Sequence, residues 1–252
     1  MLKQSNAPRE ARAPITVLRQ YWSDEDSRRR YVDGLFDGTA GDYDFVERLL
    51  GLGSGPWYRR MALGRAGLAP GMHVLDVATG TGLVAREALT LVGPGGSLIG
   101  LDPSAGMLHE AAQLHVPLVR ALGEKLPFGD NRFDFVSMGF ALRHVADLEA
   151  LFGEMRRVLK PGGTACILEI TQPSSPWIAG PMKVFMTRGV PAIAALRGRY
   201  RHARDLMQFY WDTIEACVPP AGVVGALERA GFPAPKRHVV LGMFSEYTGR
   251  KA

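Results

Sequence analysis

Closely spaced glycines and a downstream carboxylate predict a site for a nucleotide-like ligand near residue 80. Gly80 and Gly82 follow an apolar run, residues 74–77, and Asp102 lies 22 residues beyond Gly80. Glycines in such a turn leave backbone N–H groups open to a ligand, because no Cβ blocks its approach. A carboxylate at this spacing can accept hydrogen bonds from both hydroxyls of a ribose. Asp76, inside the apolar run, either orients the glycine turn or meets a cationic ligand.

The pattern fits two cofactors. Gly80-x-Gly82-x-x-Ala85 matches the loose dinucleotide fingerprint, and the Asp102 carboxylate suits the ribose of NAD or of S-adenosylmethionine. The acidic residue inside the first strand argues against NAD, as do later landmarks that a nicotinamide enzyme does not require.

Alternating apolar and helical segments predict a doubly wound, parallel α/β sheet that brings these residues to one edge. The predicted strands are residues 74–77, 97–102, 116–121, 135–140, 164–170, 237–241 and 243–249. The predicted helices are residues 83–89, 147–159 and 221–230, with another that has Ser104 as its N-cap. A Pro-Gly-Gly turn at residues 161–163 is expected before the fifth strand. The link between the last two strands is too short for a crossover, so the last strand is expected to be antiparallel.

Two regions depart from this alternation. Residues 1–30 are polar and charged, which predicts an extension whose first dozen residues are disordered and whose residues 15–31 form a short surface helix. The domain is expected to span residues 31–252. Its aromatic-rich start is either core packing or a helical cover whose Tyr43 faces the ligand. Residues 171–217, apolar and broken by four prolines, predict a helical lid insertion.

Composition excludes several classes of protein. The chain has 252 residues, of which 46% are hydrophobic and 22% charged, as in a soluble globular protein. Cys166 and Cys217 form no disulfide framework or metal-ligand spacing, which favours a reducing, cytoplasmic compartment. An apolar run of 18 residues and a signal-peptide core are both absent from the sequence. The net charge of +5 permits an anionic membrane surface, but no basic-aromatic repeat indicates nucleic acid.

Landmarks in order along the chain resemble class I S-adenosylmethionine-dependent methyltransferases. They are Asp76-x-Ala78-x-Gly80-Thr81-Gly82, Asp102, Leu126-Pro127-Phe128 with Phe133-Asp134, and residues 157–163. More narrowly, the chain resembles the ubiquinone/menaquinone biosynthesis C-methyltransferase family over about residues 31–252. The stretches that carry this resemblance are Phe36-Asp37, Tyr43-Asp44, Ala141-Leu142-Arg143-His144, Ala230-Gly231-Phe232 and the tail from Gly242 to Lys251.

The resemblance implies a Rossmann-like, seven-stranded sheet, S-adenosylmethionine as cofactor and a small, lipophilic, quinol-like acceptor methylated on a ring carbon. The implied cofactor-binding residues are Asp76, Ala78, Gly80, Thr81, Gly82, Asp102, Pro103, Met107, Leu122, Gly123, Gly139 and Phe140. The sequence departs from the family at two of its positions. Leu122 replaces the residue that faces the adenine amino group, and His144 replaces an asparagine.

Ring-carbon methylation requires an electron-rich phenolate or enolate, so the site must remove a phenolic proton or stabilise its loss. Arg143 keeps its own proton and is expected to hold an oxyanion or polarise a water, unless it is only a structural or surface cation. His144 is the candidate base, and activity would then rise with pH through an imidazole-like transition. The alternative is a helix-start histidine satisfied by the backbone. Tyr43 is expected to lie across the acceptor from this pair.

Other functions remain open from the sequence. They are a secondary-metabolite O- or C-methyltransferase, a catalytically idle S-adenosylmethionine-binding partner and, more distantly, an NAD-dependent oxidoreductase. The lid contains apolar residues from Trp177 to Val190, followed by Arg197, Arg199, Arg201 and Arg204. These either contact an anionic membrane surface, which would make the protein peripheral at the inner membrane face, or line the acceptor pocket beside solvated arginines. A homodimer is compatible with the sequence.

Overall fold

The computed structural model describes Leu18, residues 20–196, Gly198 and residues 200–252. Its strands are β1 (His73–Val77), β2 (Ser97–Asp102), β3 (Leu118–Arg120), β4 (Phe133–Gly139), β5 (Leu159–Ile170), β6 (Lys236–Val240) and β7 (Phe244–Arg250). Its helices are α1 (Glu25–Leu50), α2 (Gly55–Arg65), α3 (Leu83–Val92), α4 (Ala105–Ala111), α5 (Leu148–Val158), α6 (Pro176–Val184), α7 (Val190–Ala195), α8 (Tyr200–Ala216) and α9 (Pro220–Arg229). A π-helical turn (Phe185–Gly189) joins α6 to α7, and 3₁₀ turns cover Ala112–Leu114 and Leu142–His144.

Within the described residues, seven strands form one sheet in the order β3-β2-β1-β4-β5-β7-β6. The first five strands in this order, β3-β2-β1-β4-β5, are parallel to one another, while β7 is antiparallel to both β5 and β6. The predicted fold class, including the antiparallel last strand, is confirmed. Because the chain reverses its winding between β1 and β4, a crevice opens at the carboxyl ends of these strands, where ligands bind in such sheets.

Apolar residues on both faces of the sheet account for the double layer of helices. On β1, Val74 packs with α2 and α3 on one face, and Leu75 packs with α5 and α9 on the other. Both are buried, as expected for a parallel strand that is covered on both sides. The core therefore consists of two apolar layers with the sheet between them.

The boundaries of β5 differ from the prediction. The strand begins at Leu159, not at Thr164, and the expected turn at residues 161–163 is a bulge inside it. The register with β4 jumps from Phe133–Leu159 to Phe135–Thr164, which accommodates the extra residues. Gly162 permits the bulge because its φ is +79°.

The N-terminal prediction is wrong in its bounds. Helix α1 begins after the N-cap Asp24, whose side chain accepts a hydrogen bond from the Ser27 backbone, and it continues to Leu50. Within the described part of the helix expected over residues 15–31, only residues 25–31 are helical, as the start of α1. The expected domain boundary at residue 31 lies inside α1. The expected disorder of the first dozen residues falls outside the described residues.

The insertion after β5 is helical, as predicted. Helices α6, α7 and α8 pack with α1 around a separate apolar cluster that includes Met186, Val190 and Trp211. This cluster places the lid and the N-terminal cover against each other above the sheet edge. Among the helices of the described residues, none has both the length and the hydropathy that a bilayer-spanning segment requires.

Candidate active site

A cavity lies at the carboxyl edge of the sheet, beneath α1. It is lined by ten of the twelve residues that the sequence predicted for the cofactor: Ala78, Gly80, Thr81, Asp102, Pro103, Met107, Leu122, Gly123, Gly139 and Phe140. These residues follow the ends of four neighbouring strands, β1, β2, β3 and β4. The strand order therefore assembles them from distant parts of the chain. We call this space the sheet-edge cavity.

The turn after β1 is held in an unusual backbone conformation. Ala78 has φ +52° and Gly80 has φ +57°, both in the left-handed region. The backbone N–H of Gly80 donates to the Asp102 carboxylate at 2.9 Å. A Cβ on Gly80 would meet no atom within 4 Å. Glycine here therefore provides the φ angle and leaves open space above the turn.

Asp102 is oriented by two backbone donors. Its carboxylate accepts from the N–H of Gly80 and from the N–H of Ser104, each at 2.9 Å. Burial raises the pKa of Asp102 to about 6, although these hydrogen bonds oppose the shift. A carboxylate oxygen has two lone pairs, so both oxygens can still accept from ligand hydroxyls.

Two of the predicted cofactor residues do not line the sheet-edge cavity. Asp76 is fully buried beneath the turn, where it accepts from Thr79 Oγ1 at 2.7 Å and from Ser137 Oγ at 2.6 Å. These hydrogen bonds place Asp76 where it can orient the glycine turn, and it does not line the sheet-edge cavity. Gly82 begins α3 with φ +88°, and a Cβ there would lie 2.3 Å from Leu114 Cδ1. This glycine serves close packing of the helix.

The acidic residues of the two N-terminal motifs attach α1 to the sheet edge. Asp37 accepts from Ser104 Oγ at 2.5 Å and from the Gly106 N–H at 2.9 Å, at the start of α4. Asp44 accepts from Thr81 Oγ1 at 2.5 Å, in the glycine turn. Helix α1 is therefore a cover fixed at two points over the sheet-edge cavity.

A second, strongly apolar cavity adjoins the first. Its walls come from the end of α1, α2, α6, the π-helical turn and the β6–β7 turn. Tyr43, Arg59 and Phe140 line both cavities and form the junction between them. We call this second space the lid cavity. Few polar side chains line this cavity, and two of them are the cations Arg143 and Arg59.

Arg143 is a buried cation at the wall of the lid cavity. It is fully buried and forms an ion pair with Glu169, and its Nε donates to Thr213 Oγ1 at 3.3 Å. Its Nη2 has no hydrogen-bond partner among the described residues. Burial raises the pKa of Glu169, and the Arg143 charge opposes that shift. Arg143 is therefore not a surface cation, and one of its nitrogens has no hydrogen-bond partner within the described part of the chain.

Tyr43 lies between the two cavities, as the cover interpretation predicted. Its hydroxyl accepts a hydrogen bond from the Tyr210 hydroxyl at 2.9 Å. The Tyr210 ring in turn lies under the Arg143 guanidinium, 5.5 Å from ring centroid to Cζ. Burial raises the pKa of Tyr43, while the charges of Arg59 and Arg143 lower it. Tyr43 is therefore a neutral phenol whose own proton can be donated.

His144 lines the sheet-edge cavity, whereas its neighbour Arg143 lines the lid cavity. The imidazole stacks on Phe209 with centroids 5.5 Å apart and meets the edge of Phe36 at 5.1 Å. Neither ring nitrogen has a hydrogen-bond partner in the described part of the chain. The alternative of a histidine satisfied by the backbone is therefore wrong. Burial lowers the pKa of His144 well below 6.5, and nearby arginines lower it further.

Arg59 is a residue at the junction that sequence reasoning missed. Its neighbour Arg60, also in α2, is half exposed and pairs with Glu87. Arg59, one position away, points inward and is only 2% exposed. Nothing in the local sequence distinguishes the two arginines.

The glycine turn and the oriented carboxylate of Asp102 lie beside an apolar cavity at the edge of a seven-stranded sheet. Together these features indicate an S-adenosylmethionine-dependent methyltransferase. The sequence pattern of the ubiE/COQ5 methyltransferase family matches residues 24–247. The chain belongs to this family, and S-adenosylmethionine is its cofactor. The methyltransferase prediction is thereby confirmed over the nicotinamide alternative.

Relatives agree with this assignment, and solved structures share the fold. The Hahella chejuensis ubiquinone/menaquinone biosynthesis C-methyltransferase UbiE is 32% identical over 210 residues, which are 78% of this chain and 84% of the relative. A demethylmenaquinone methyltransferase of Mycobacterium bovis is 32% identical over 227 residues, 90% and 94% of the two chains. An Aquifex aeolicus S-adenosylmethionine-dependent methyltransferase has a TM-score of 0.57 at 21% identity, covering 77% and 89%. A Haemonchus contortus phosphoethanolamine N-methyltransferase, solved with S-adenosylmethionine, has a TM-score of 0.54 at 17% identity, covering 77% and 52%.

The residues of the sheet-edge cavity fit this cofactor. Asp102 offers oriented acceptors to ribose hydroxyls, and the space above Gly80 is open to close approach. Leu122 and Gly123 present an apolar surface for a base. A Cβ on Gly123 would lie 2.7 Å from Leu151 Cδ1, so this glycine also serves the core.

Asp102→Ala is expected to weaken S-adenosylmethionine binding by about 1–3 kcal/mol, because two charge-assisted hydrogen bonds are lost. Titration calorimetry of the purified variant measures the change. Unchanged affinity, in a variant that melts like the wild type, would contradict the assignment of Asp102 to the ribose.

Proposed function

We propose that this enzyme methylates a ring carbon of a quinol-like acceptor held in the lid cavity. The proposal rests on one observation: the apolar lid cavity joins the sheet-edge cavity beside the buried cation Arg143. The names of the relatives, which act in quinone biosynthesis, support the same acceptor class.

In this proposal the twelve predicted residues contribute to the cofactor site in two ways. Asp102 binds the ribose, Leu122 and Gly123 contact the adenine, and Ala78, Gly80, Thr81, Pro103, Met107, Gly139 and Phe140 form the remaining walls. Asp76 and Gly82 act indirectly by shaping the turn. The bound cofactor supplies an electrophilic methyl group on a sulfonium.

Arg143, Tyr43 and His144 prepare the acceptor. Arg143 stabilises the oxyanion of the quinol through its unpartnered Nη2, which raises the electron density of the ring. The Tyr43 hydroxyl donates to an acceptor oxygen at the junction. His144 lines the sheet-edge cavity and not the lid cavity, so it accepts the phenolic proton from an acceptor oxygen that reaches through the junction. Its imidazole is neutral and has no hydrogen-bond partner among the described residues. The apolar lid excludes water from the reacting atoms.

The test is methyl transfer from labelled S-adenosylmethionine to candidate acceptors, with the product located by mass spectrometry and NMR. Demethylmenaquinol is expected to gain a methyl group on a ring carbon. A catechol whose remaining ring carbons are all substituted, and which can therefore be methylated only on oxygen, is the control acceptor. Methylation on oxygen would favour a secondary-metabolite enzyme, and no transfer to any phenolic acceptor would favour an idle binding partner. Either outcome would refute the proposal.

We also propose that the lid cavity receives its acceptor from a membrane surface. Four large apolar side chains from four elements are exposed around its mouth: Leu52 at 80%, Trp57 at 65%, Trp177 at 90% and Leu241 at 75%. A solvent-facing ring of this kind suits insertion into the interfacial region of a bilayer.

Some of the lid residues are exposed, as contact with a membrane surface requires, and others are buried or line the lid cavity. Trp177, Ile178 and Val184 are exposed, whereas Met186 and Val190 are buried. Met182 and Phe185 line the lid cavity. Arg197, Arg199 and the side chain of Arg201 lie outside what the structure describes. Arg204 is exposed beside Asp205.

The protein is expected to co-sediment with anionic but not with neutral vesicles, and to be released at high salt. Trp177→Ala should reduce the bound fraction, because burial of one large side chain contributes about 2 kcal/mol. Leu196→Ala is the matched control, since Leu196 is as exposed as Trp177 but does not line the lid cavity. If the protein stayed in the supernatant with both kinds of vesicle, these residues would only line the lid cavity.

A further inference from the structure

Arg59 is a buried cation with unused donors at the junction of the two cavities. Its Nη2 forms an ion pair with Glu47 of α1, and its Nε and Nη1 have no hydrogen-bond partner among the described residues. The guanidinium lies over the Phe140 ring, with Cζ 5.5 Å from the ring centroid. Buried guanidinium donors without partners are costly, so a ligand that accepts from them would stabilise the site.

The space for this guanidinium is built into α2. A Cβ on Gly55, at the first turn of the helix, would lie 2.6 Å from Arg59 Nη1 and 3.0 Å from Glu47 Oε1. Glycine at this position therefore leaves room for the ion pair. The pair holds the guanidinium at the cavity wall, in contact with the residue that follows β4.

The position of Arg59 indicates which part of the cofactor it meets. Asp102 ends β2 and Leu122 follows β3. Both strands lie on the same side of β1 in the strand order, so the ribose and the base are expected on that side of β1. Phe140 follows β4, which lies on the other side of β1. The amino-acid part of the cofactor must extend toward β4, because the adenosine part takes the side of β2 and β3.

Two further arginines line the sheet-edge cavity from α1, and Arg28 is close to both its ribose side and the turn after β4. Arg28 and Arg29 precede Asp33 in α1. Burial raises the pKa of the Asp33 carboxyl group, and the charges of both arginines oppose that shift. Asp33 in turn raises the pKa of Asp102. Arg28 also donates to the carbonyl of His144. An amino-acid carboxylate at the β4 side needs a cation nearby, since burial of an unpaired carboxylate is strongly unfavourable.

We infer that Arg59 binds the carboxylate of the cofactor's methionine part and makes the site selective for a cofactor that bears this group. The charge-assisted hydrogen bonds use the free Nε and Nη1 donors, while Glu47 keeps the guanidinium in place. The inference depends on the cofactor and not on the proposed acceptor. A failure of the quinol assay would leave it untouched.

The test compares binding of S-adenosylmethionine with binding of its decarboxylated form, which lacks only the carboxylate. The wild type is expected to prefer S-adenosylmethionine. Arg59→Gln should lower the affinity for S-adenosylmethionine about 10- to 100-fold, by loss of charge-assisted hydrogen bonds. The affinity for the decarboxylated form should stay constant or increase, because a positive charge near a doubly cationic ligand has been removed. This second ligand also reports whether the variant is folded.

Arg60→Gln is the matched control, since its side chain is half exposed and pairs with Glu87 at the surface. It should keep the wild-type preference. Equal loss of affinity for both ligands in Arg59→Gln would mean a structural role and would overturn the inference. So would an unchanged cofactor affinity with a raised acceptor KM, which would assign Arg59 to an oxyanion of the acceptor.

Discussion

Removal of the Arg143 cation is expected to lower kcat about 100- to 1000-fold, the loss typical of one oxyanion donor. The single variant Arg143→Gln leaves Glu169 buried and unpaired, which would destabilise the fold by about 3–5 kcal/mol. The informative variant is therefore Arg143→Gln combined with Glu169→Gln, which removes both charges of the pair. Single-turnover rates at saturating cofactor measure the effect, and calorimetry with S-adenosylhomocysteine shows whether the cofactor site is intact.

Arg143→Lys separates charge from geometry. Lysine keeps the positive charge but lacks the planar guanidinium, which here contacts Glu169, Thr213 and the Tyr210 ring at once. A large loss of kcat in this variant would mean that the direction of the Nη2 donor matters. A double variant that turns over at the wild-type rate would assign Arg143 to structure alone.

His144→Ala is expected to lower turnover about 100- to 10,000-fold with cofactor affinity near that of the wild type, as for loss of a general base. His144→Asn installs the residue implied by the family resemblance. A near-normal rate in that variant would mean that His144 positions the acceptor and does not take the proton. His109→Ala, a substitution of an exposed histidine in α4, is the control.

The structure changes the expected pH dependence of this step. Burial holds the pKa of His144 well below 6.5, so the neutral, basic form is already present at pH 6.5 and above. The imidazole-like rise in activity predicted from the sequence should therefore appear at lower pH. An activity step centred near 6.5 that disappears in His144→Asn would contradict the buried, neutral ring.

The titration of His144 also makes the free energy of unfolding depend on pH. In the unfolded chain His144 titrates near 6.5, whereas in the folded chain its pKa is lower. The unfolded state therefore binds more protons between these two values, and stability falls as the pH drops below 6.5. The Tm of the wild type should decrease more than that of His144→Asn over this range.

Several elements could be predicted because their causes are local. The apolar run that forms β2, with Asp102 at its end, was predicted with the observed bounds. Ser104 was predicted as an N-cap, and its side chain accepts from the Met107 N–H. The short link after β6 excludes a crossover whatever the rest of the chain does. In each case, a few neighbouring residues contain the whole physical reason.

Helix α1 and the bulge in β5 depended on distant partners. The charged start of α1 resembles a solvated tail, yet Arg28 is buried and donates to the carbonyl of His144, 116 residues away. The start of β5 at Leu159 is stabilised by pairing with Phe133 on β4. Local propensity alone could not predict either element.

The sequence by itself predicted the class of fold, because strand ends and glycine turns have local signatures. Its resemblance to a known family implied the cofactor and the ten predicted residues that line the sheet-edge cavity. Only the tertiary structure decided which way individual side chains face. Arg143 and His144 are adjacent in a 3₁₀ turn, where successive residues project about 120° apart, and they therefore line different cavities. Arg59 and Arg60 are equivalent in sequence, yet only Arg59 faces the junction, because α2 packs that side of the helix against the sheet edge.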